Sequence, residues 1–210
     1  MLTASELLSA YARGLFPMAA AAGEDELYWF NPDPRGILPL GNLHASRTLL
    51  RDLRRGGWSA RHADDFDSIV EGCAARDETW INAPLKRLYH ELYESGHAHA
   101  LEVFHDGKRA GGIFGVTLGG AYFGESMFST RTSGSRMALL WMDWLLRKGG
   151  YRLFDTQYLT PHLASMGGRE IPRQIYRRML VGAVALDPAP LSAVTLAADQ
   201  ELVQEITQTS

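Results

Sequence analysis

The chain has 210 residues, which fits one domain or one domain with a small addition. Its 46% hydrophobic and 21% charged residues are typical of a globular protein and exclude a disordered or collagen-like chain. The net charge of -3 means that the chain as a whole has no excess positive charge to attract nucleic acid. No apolar run is long enough to span a membrane.

The cellular compartment is predicted from the cysteine content and the N-terminus. Cys73 is the only cysteine in the chain, so no internal disulfide can form. A basic segment followed by an apolar run, the pattern of a secretory signal peptide, is missing from the opening MLTASELLSAYARGLF. We therefore expect a cytoplasmic protein.

The N-terminal part of the chain predicts a helix followed by loop and short strand. Thr3 and Glu6 have the spacing of a capping box, and apolar residues then recur at helical intervals until about Gly14. The stretch 16–39 is rich in proline and aromatic residues, which suits ordered loop and short strand. We place a small N-terminal unit here.

A basic helix is predicted at 44–55. Arg47, Arg51, Arg54 and Arg55 recur at helical spacings that place all four along one side. Two interpretations stay open at this point. The arginines form either an ordinary solvated surface or a contact with the phosphate backbone of a nucleic acid such as tRNA.

The second half of the chain predicts a meander of strands and then packed helices. Strand-like runs at 100–104, 109–118 and 121–128 are separated by Asp-Gly and Gly-Gly, which are strong hairpin signals. The stretch 133–148 is apolar almost all round and predicts a buried helix. A strand at 152–159 and a last helix at 171–180 follow. Strands with helices packed on the sheet predict the α+β class.

Three polar residues occupy strand positions that are predicted to be buried. Glu125 lies at the end of a half-buried strand and needs a partner or a shifted pKa. Asp155 and Gln157 are two residues apart, so in an extended strand both side chains point to one face. Spacing alone leaves two roles open, a functional pair or hydrogen bonds that cap a neighbouring loop.

Two further patterns are weaker. Arg131, Gly134 and Arg136 stand before a helix and partly resemble the pyrophosphate loop of GCN5-related N-acetyltransferases, although Arg136 replaces a small residue. His97 and His99 share one face of a strand, but two ligands do not make a metal site. We therefore expect no metal.

Nine segments spread over 11–180 form a more specific pattern than any of these. They are YARGLFP from Tyr11, NPDPRGIL from Asn31, LHASR from Leu43, Trp80-Ile81, GHAHALEV from Gly96, GGIFGV from Gly111, GESMFS from Gly124, DTQYLTPHLASMG from Asp155 and EIPR from Glu170. In this order they resemble the bacterial leucyl/phenylalanyl-tRNA–protein transferases.

The resemblance implies a small, shortened N-terminal domain at 1–34 and an N-acetyltransferase-like catalytic domain at 35–210. It implies transfer of leucine or phenylalanine, with methionine a further candidate, from aminoacyl-tRNA to the α-amino group of a protein that begins with Arg or Lys. The modified proteins would be N-degron substrates for proteolysis. No cofactor is implied, and we expect a monomer that does not bind membranes.

The resemblance also assigns site residues. Gln157 would accept a hydrogen bond from the attacking amine, Asp155 would orient and polarise the Gln157 amide, and Glu125 would orient a substrate. The terminal adenosine of the tRNA would stack on Trp80 and Tyr89, with Met18 in place of a family aromatic. The aminoacyl pocket would be formed by Ile113, Tyr122, Met127, Met142 and Leu146. The tRNA backbone would contact Arg47, Arg51, Arg54 and Arg55.

Two other functions remain open for a chain of this fold. One is a noncatalytic protein that binds the end of tRNA. The other is an acyl-CoA N-acyltransferase that uses the loop at Arg131.

Overall fold

The computed structural model of the chain describes residues 2–20, 23–76 and 79–208. Its helices are α1 Ala4–Tyr11, α2 Arg47–Arg54, α3 Phe66–Ala74, α4 Ala83–Glu94, α5 Gly134–Gly149, α6 Pro161–Ser165, α7 Arg173–Val184 and α8 Asp199–Gln208, with a 3-10 turn at Leu191–Ala193. Its strands are β1 Phe16–Ala19, β2 Leu27–Phe30, β3 Arg35–Ile37, β4 Trp58–His62, β5 Ala98–His105, β6 Lys108–Leu118, β7 Ala121–Ser129, β8 Leu153–Gln157 and β9 Arg169–Ile171.

The central sheet of the described residues has the strand order β4-β5-β6-β7-β8-β3-β9. All neighbouring strands are antiparallel except β7 and β8, which run parallel. β1 and β2 form a separate antiparallel hairpin. The predicted α+β class, with a mainly antiparallel sheet flanked by helices, is confirmed.

The turn dipeptides explain why β5, β6 and β7 form a meander. Asp106 and Gly107 connect β5 to β6 and both have positive φ angles, 50° and 73°. A two-residue hairpin turn of the type that matches strand twist requires positive φ at both positions, and Asp-Gly supplies it at low cost. The predicted hairpins at 106–107 and 119–120 are confirmed.

Two hydrophobic cores lie on opposite faces of the sheet. Neighbouring residues of β6 show the division, because Ile113 packs in one core and Phe114 in the other, as strand alternation requires. Helices α2, α5 and α8 cover the Ile113 face, and helices α1, α3, α4 and α7 cover the Phe114 face. The predicted buried helix is α5, and the predicted capping box of α1 is present at Thr3 and Glu6.

The prediction that α7 is the last helix is wrong. Helix α8 follows it, and the side chains of Leu202 and Ile206 enter the Ile113-face core. The preceding segment is fixed as well, because the indole Nε1 of Trp141 donates to the carbonyl oxygen of Ala197 at 3.0 Å. Within the described ranges, every helix is too short or too polar to cross a bilayer.

Candidate active site

A cavity opens where the parallel pair β7 and β8 separates. The two strands pair only from Ala121 to Phe123 and from Leu153 to Asp155, and the residues beyond these diverge. The space between them is a cavity of about 390 Å³. Its apolar lining is Phe16, Met18, Ile113, Met127, Phe128, Leu139, Phe154 and Leu163, and the polar and amphipathic groups around it are Arg76, Trp80, Glu125, Ser126, Ser135, Thr156, Gln157, Tyr158, Thr160 and His162.

Glu125 lines this cavity and is held by two tyrosines. The hydroxyl of Tyr11 donates to Oε1 at 2.8 Å, and the hydroxyl of Tyr89 donates to Oε2 at 2.7 Å. Burial raises the pKa of Glu125 to about 7, and the hydrogen bonds from Tyr89 and Tyr11 oppose this rise. Burial also raises the pKa of both tyrosines well above the ordinary value, so both remain protonated donors.

Gln157 ends β8 in an unusual backbone conformation. Its φ angle is +59°, in the left-handed region that residues other than glycine seldom occupy. The amide is best satisfied when its nitrogen donates to the carbonyl oxygens of Gly124 and Thr156, at 3.1 and 2.9 Å. In the opposite orientation the nitrogen reaches only Oε1 of Glu125, at 3.5 Å. The favoured orientation therefore places the amide oxygen on the Glu125 side.

Asp155 is fully buried and does not line the cavity. Its carboxylate forms a bidentate ion pair with Arg35, at 2.9 Å to Nε and 2.6 Å to Nη2. It also accepts from the hydroxyl of Tyr176 at 2.7 Å and from the backbone N–H of Gln157 at 2.9 Å. All its contacts with Gln157 are therefore to the backbone.

The arrangement can bind an amine beside an apolar group. The amide oxygen of Gln157 and the carboxylate of Glu125 come from adjacent strands and lie close together, and both are hydrogen-bond acceptors. Among the described residues, Glu125 is the only carboxylate that lines the cavity. An N–H group is therefore the natural partner at this point, with apolar substituents accommodated by the surrounding lining.

Comparison with known proteins decides the family. A family model described as leucyl/phenylalanyl-tRNA protein transferase matches residues 37–181, and the model of the N-terminal domain of that family matches residues 1–33. The chain belongs to the leucyl/phenylalanyl-tRNA protein transferase family. It is an aminoacyltransferase, as the resemblance of its motifs predicted.

Curated relatives in this transferase family align over the whole chain. The leucyl/phenylalanyl-tRNA–protein transferase of Paracoccus denitrificans is 54% identical and covers 100% of this chain and 98% of its own. The proteins of that name from Ruegeria sp. and Cereibacter sphaeroides are 50% and 49% identical, with coverage of 100% of this chain and of 99% and 98% of their own. The solved structure of L-PGS from Bacillus licheniformis matches 77% of this chain and 55% of its own length at 12% identity, with a TM-score of 0.39.

The structure brings the three predicted catalytic residues of this transferase together but changes the role of one. The carboxylate of Asp155 accepts from the backbone N–H of Gln157, and the left-handed φ angle of Gln157 ends the regular alternation of β8. Phe154, Thr156 and Gln157 line the cavity, whereas Asp155 does not. Asp155 therefore does not polarise the Gln157 amide directly, which corrects that prediction.

Two of the five residues predicted for the aminoacyl pocket line the cavity, namely Ile113 and Met127. Tyr122, Met142 and Leu146 are fully buried and lie behind the lining. Tyr122 precedes the point where β7 separates from β8, which explains why its side chain is closed off. Leu139, Phe154 and Leu163 take the corresponding places in the lining, and the sequence prediction missed them.

The predicted adenosine platform is only partly present. Trp80 and Met18 line the cavity, and Trp80 is partly exposed. Tyr89 is fully buried, with its ring edge-on to Phe114 and its hydroxyl on Glu125. A base needs an open ring face for stacking, so the structure assigns Tyr89 to holding Glu125 rather than to stacking.

The arginine stripe is on the surface of α2. Arg47, Arg51, Arg54 and Arg55 are all exposed, while Leu49 and Leu53 on the other side of the helix are buried in the core. Within the described ranges, none of the four arginines forms an ion pair. The prediction that the four arginines lie along one side of a helix is therefore consistent with the structure.

The loop that partly resembles a pyrophosphate site has little to offer an anion. The backbone N–H of Gly134 donates to the carbonyl oxygen of Arg131, and that of Ser135 donates to the hydroxyl of Ser129 at 2.8 Å. The guanidinium of Arg131 lies over the ring of Trp58. Two of the backbone donors that would receive a pyrophosphate are already engaged, which disfavours the acyl-CoA interpretation.

Sequence reasoning missed the residues that support the site from behind. Tyr11 holds Glu125, while Arg35 and Tyr176 hold Asp155. Tyr11 and Arg35 do stand in two of the motifs that carried the resemblance, YARGLFP and NPDPRGIL. The signal was therefore present, but only the three-dimensional contacts reveal what these residues do.

Proposed function

We propose that this chain transfers leucine or phenylalanine, and potentially methionine, from aminoacyl-tRNA to the α-amino group of proteins that begin with Arg or Lys. One observation carries the proposal in a chain of this family. The amide oxygen of Gln157 and the carboxylate of Glu125 are two hydrogen-bond acceptors that lie close together in the cavity, where an amine could donate to both.

The reaction needs positioning more than strong acid or base catalysis. An aminoacyl ester is already activated, and an N-terminal amine has a pKa of about 7.7–8.0, so a useful fraction is neutral at physiological pH. Holding the amine against the ester turns a bimolecular step into an effectively unimolecular one. Gln157 is proposed to accept one N–H of the amine through its amide oxygen, which fixes the direction of attack.

Glu125 is proposed to orient the amine from the other side. When it is ionised, its two oxygens accept hydrogen bonds from Tyr11 and Tyr89 and retain capacity for a further N–H donor. As the only carboxylate among the described lining residues, it also supplies the negative charge that favours a cationic acceptor. Asp155 is proposed as a positioning residue that holds the backbone of Gln157.

The donor is proposed to bind with its side chain among Ile113, Met127, Leu139, Phe154 and Leu163. These five side chains are apolar, so a polar side chain placed among them would lose its hydrogen bonds on entry. Trp80 and Met18 at the edge of the cavity are proposed to pack on the terminal adenosine, and the α2 arginines to contact tRNA phosphates.

We also propose a domain organisation, a cellular location and an oligomeric state. We place the N-terminal domain at 1–34 and the catalytic domain at 35–210. Cytoplasmic location and a monomeric state are proposed, because both substrates are cytoplasmic macromolecules and one chain contributes all the residues named here. The products are proposed to be N-degron substrates for proteolysis.

A transfer assay tests the proposal. Labelled leucine or phenylalanine on tRNA is mixed with the protein and a peptide led by Arg or Lys, with an Ala-led peptide and an N-acetylated Arg-led peptide as controls. Transfer to the first two peptides alone is expected. Binding of charged tRNA without transfer would favour a noncatalytic tRNA-end binding protein, and transfer from an acyl-CoA instead would favour the acyltransferase alternative.

A further inference from the structure

Arg35 is a fully enclosed charged residue near the site, as is Asp155. It is 0% exposed, and its guanidinium lies 4.9 Å from the ring centroid of Phe16 and 4.4 Å from that of Tyr176. Nη1 donates to the carbonyl oxygen of Gly14 at 2.7 Å. With its aromatic neighbours and its hydrogen bonds, the guanidinium is held in one orientation.

That orientation determines where the carboxylate of Asp155 points. Nε and Nη2 of Arg35 bind the two carboxylate oxygens separately, at 2.9 and 2.6 Å. The planar fork of arginine fixes the plane of a carboxylate in this way, whereas the ammonium of lysine acts as a point charge and does not.

The same carboxylate holds the backbone of Gln157. Oδ1 of Asp155, which accepts from Nε of Arg35, also accepts from the N–H of Gln157 at 2.9 Å. Gln157 has a φ angle of +59°, a strained conformation that persists only where the surroundings impose it. Rotation of the carboxylate would release this hydrogen bond and with it the conformation that directs the Gln157 amide into the cavity.

We infer that Arg35 is a positioning residue for the transfer reaction, acting through Asp155 on the backbone of Gln157 without touching either substrate. This inference rests on the proposed function of Gln157. It explains why a full ion pair is buried beside the cavity without lining it.

The first test compares Arg35→Lys with the parent protein in steady-state transfer. The variant keeps a positive charge next to Asp155 but loses the fork. We expect kcat to fall about tenfold or more, because a small misplacement of a reacting group is costly, while KM for aminoacyl-tRNA and for the peptide stays within about twofold. Unchanged kcat in a folded Arg35→Lys protein would overturn the inference.

A comparison made in a protein that already carries Gln157→Ala distinguishes a positioning role of Arg35 from a general structural role. In a Gln157→Ala protein, Arg35→Lys should cause no further loss of kcat, because the group that Arg35 positions is already absent. An equal fold-loss in both backgrounds would mean that Arg35 acts independently of Gln157, and would overturn the inference. Absence of transfer by the parent protein would instead overturn the proposed function itself, so the two failures are distinguishable.

Two further variants complete the design. Tyr176→Phe removes only the hydroxyl that donates to Oδ2 of Asp155 and is the milder change if Arg35→Lys does not fold. It should lower kcat in the parent background and not in Gln157→Ala, and equal loss in both would again contradict the inference. Glu102→Gln is the matched control, since Glu102 is a buried carboxylate paired with Arg61 and Arg109 on β4 and β6, and its loss should leave kcat unchanged.

Discussion

Glu125 combines a half-buried position with a strong hydrogen-bond environment. Loss of water favours the neutral acid, and the hydroxyls of Tyr11 and Tyr89 favour the carboxylate. The balance raises the pKa to about 7, close to the pH at which the acceptor amine begins to lose its proton. A small change in these neighbours therefore alters the charge of the cavity under physiological conditions.

The pH dependence of transfer should report this group. The raised pKa means that Glu125 is neutral below about pH 7 and ionised above it, so kcat should rise with pH through an apparent pKa near 7. Glu125→Gln should lose this rise while keeping the separate rise from the acceptor amine at about 7.7–8.0. The measurement is kcat against pH with one Arg-led peptide.

The Tyr89→Phe variant tests the direction in which the pH dependence of kcat should shift. Its hydroxyl lowers the pKa of Glu125, so its removal should move the rise in kcat to higher pH. A shift to lower pH, or no dependence on Glu125 at all, would show that another group controls the reaction.

At the scale of elements, helix α2 buries one side in the core and exposes a basic side to solvent. Leu49 and Leu53 anchor the helix in the core, and this burial directs the arginines to solvent. The helix also places Arg51 and Arg54 in its last turn, where positive charge is favourable near the C-terminal end of the helix dipole.

The double variant Arg51→Ala/Arg54→Ala should weaken tRNA binding through loss of phosphate contacts. If each arginine contacts one phosphate, the slope of log affinity against log salt should fall by about 2. Arg177→Ala/Arg178→Ala on α7, across the sheet from α2, is the matched control. Equal losses in the two variants would mean that only net charge matters and that α2 is not a tRNA surface.

Helix α8 should contribute to stability as well as cover the sheet. Leu202 is 1% exposed in the same core as Leu49 and Leu53. Leu202→Ala should lower the free energy of unfolding by about 2–5 kcal/mol, because it leaves a cavity in that core. The control is Val181→Ala, at a residue that is 70% exposed. In denaturant titrations it should change the free energy of unfolding by no more than about 0.5 kcal/mol. Similar values for both variants would show that α8 is not packed as described.

The sequence predicted those elements that have strong local signals. Asp106-Gly107 determines a turn by backbone conformation alone, and the apolar stretch of α5 indicates burial wherever the helix packs. Helix α8 escaped prediction because its short stripe of Leu202 and Ile206 acquires meaning only from the core that receives it.

For the molecule as a whole, the site depends on contacts between distant parts of the chain. The cavity exists because β7 and β8 stop pairing after Phe123 and Asp155, a feature of sheet register that no local pattern encodes. Strand spacing placed Asp155 and Gln157 near each other, but it did not show that Asp155 holds the backbone N–H of a left-handed Gln157. Family motifs pointed to the right strands, whereas the division of roles along them required the structure.

The central claim is that Gln157 fixes the attacking amine, and a single-turnover measurement tests it most directly. Enzyme saturated with charged tRNA is mixed with an Arg-led peptide, and the rate of peptide-bond formation is compared for the parent, Gln157→Ala and the exposed-site control Gln174→Ala. We predict about a hundredfold loss for Gln157→Ala with unchanged binding of tRNA, and no loss for the control. A Gln157→Ala protein that forms the peptide bond at the parent rate would contradict the account.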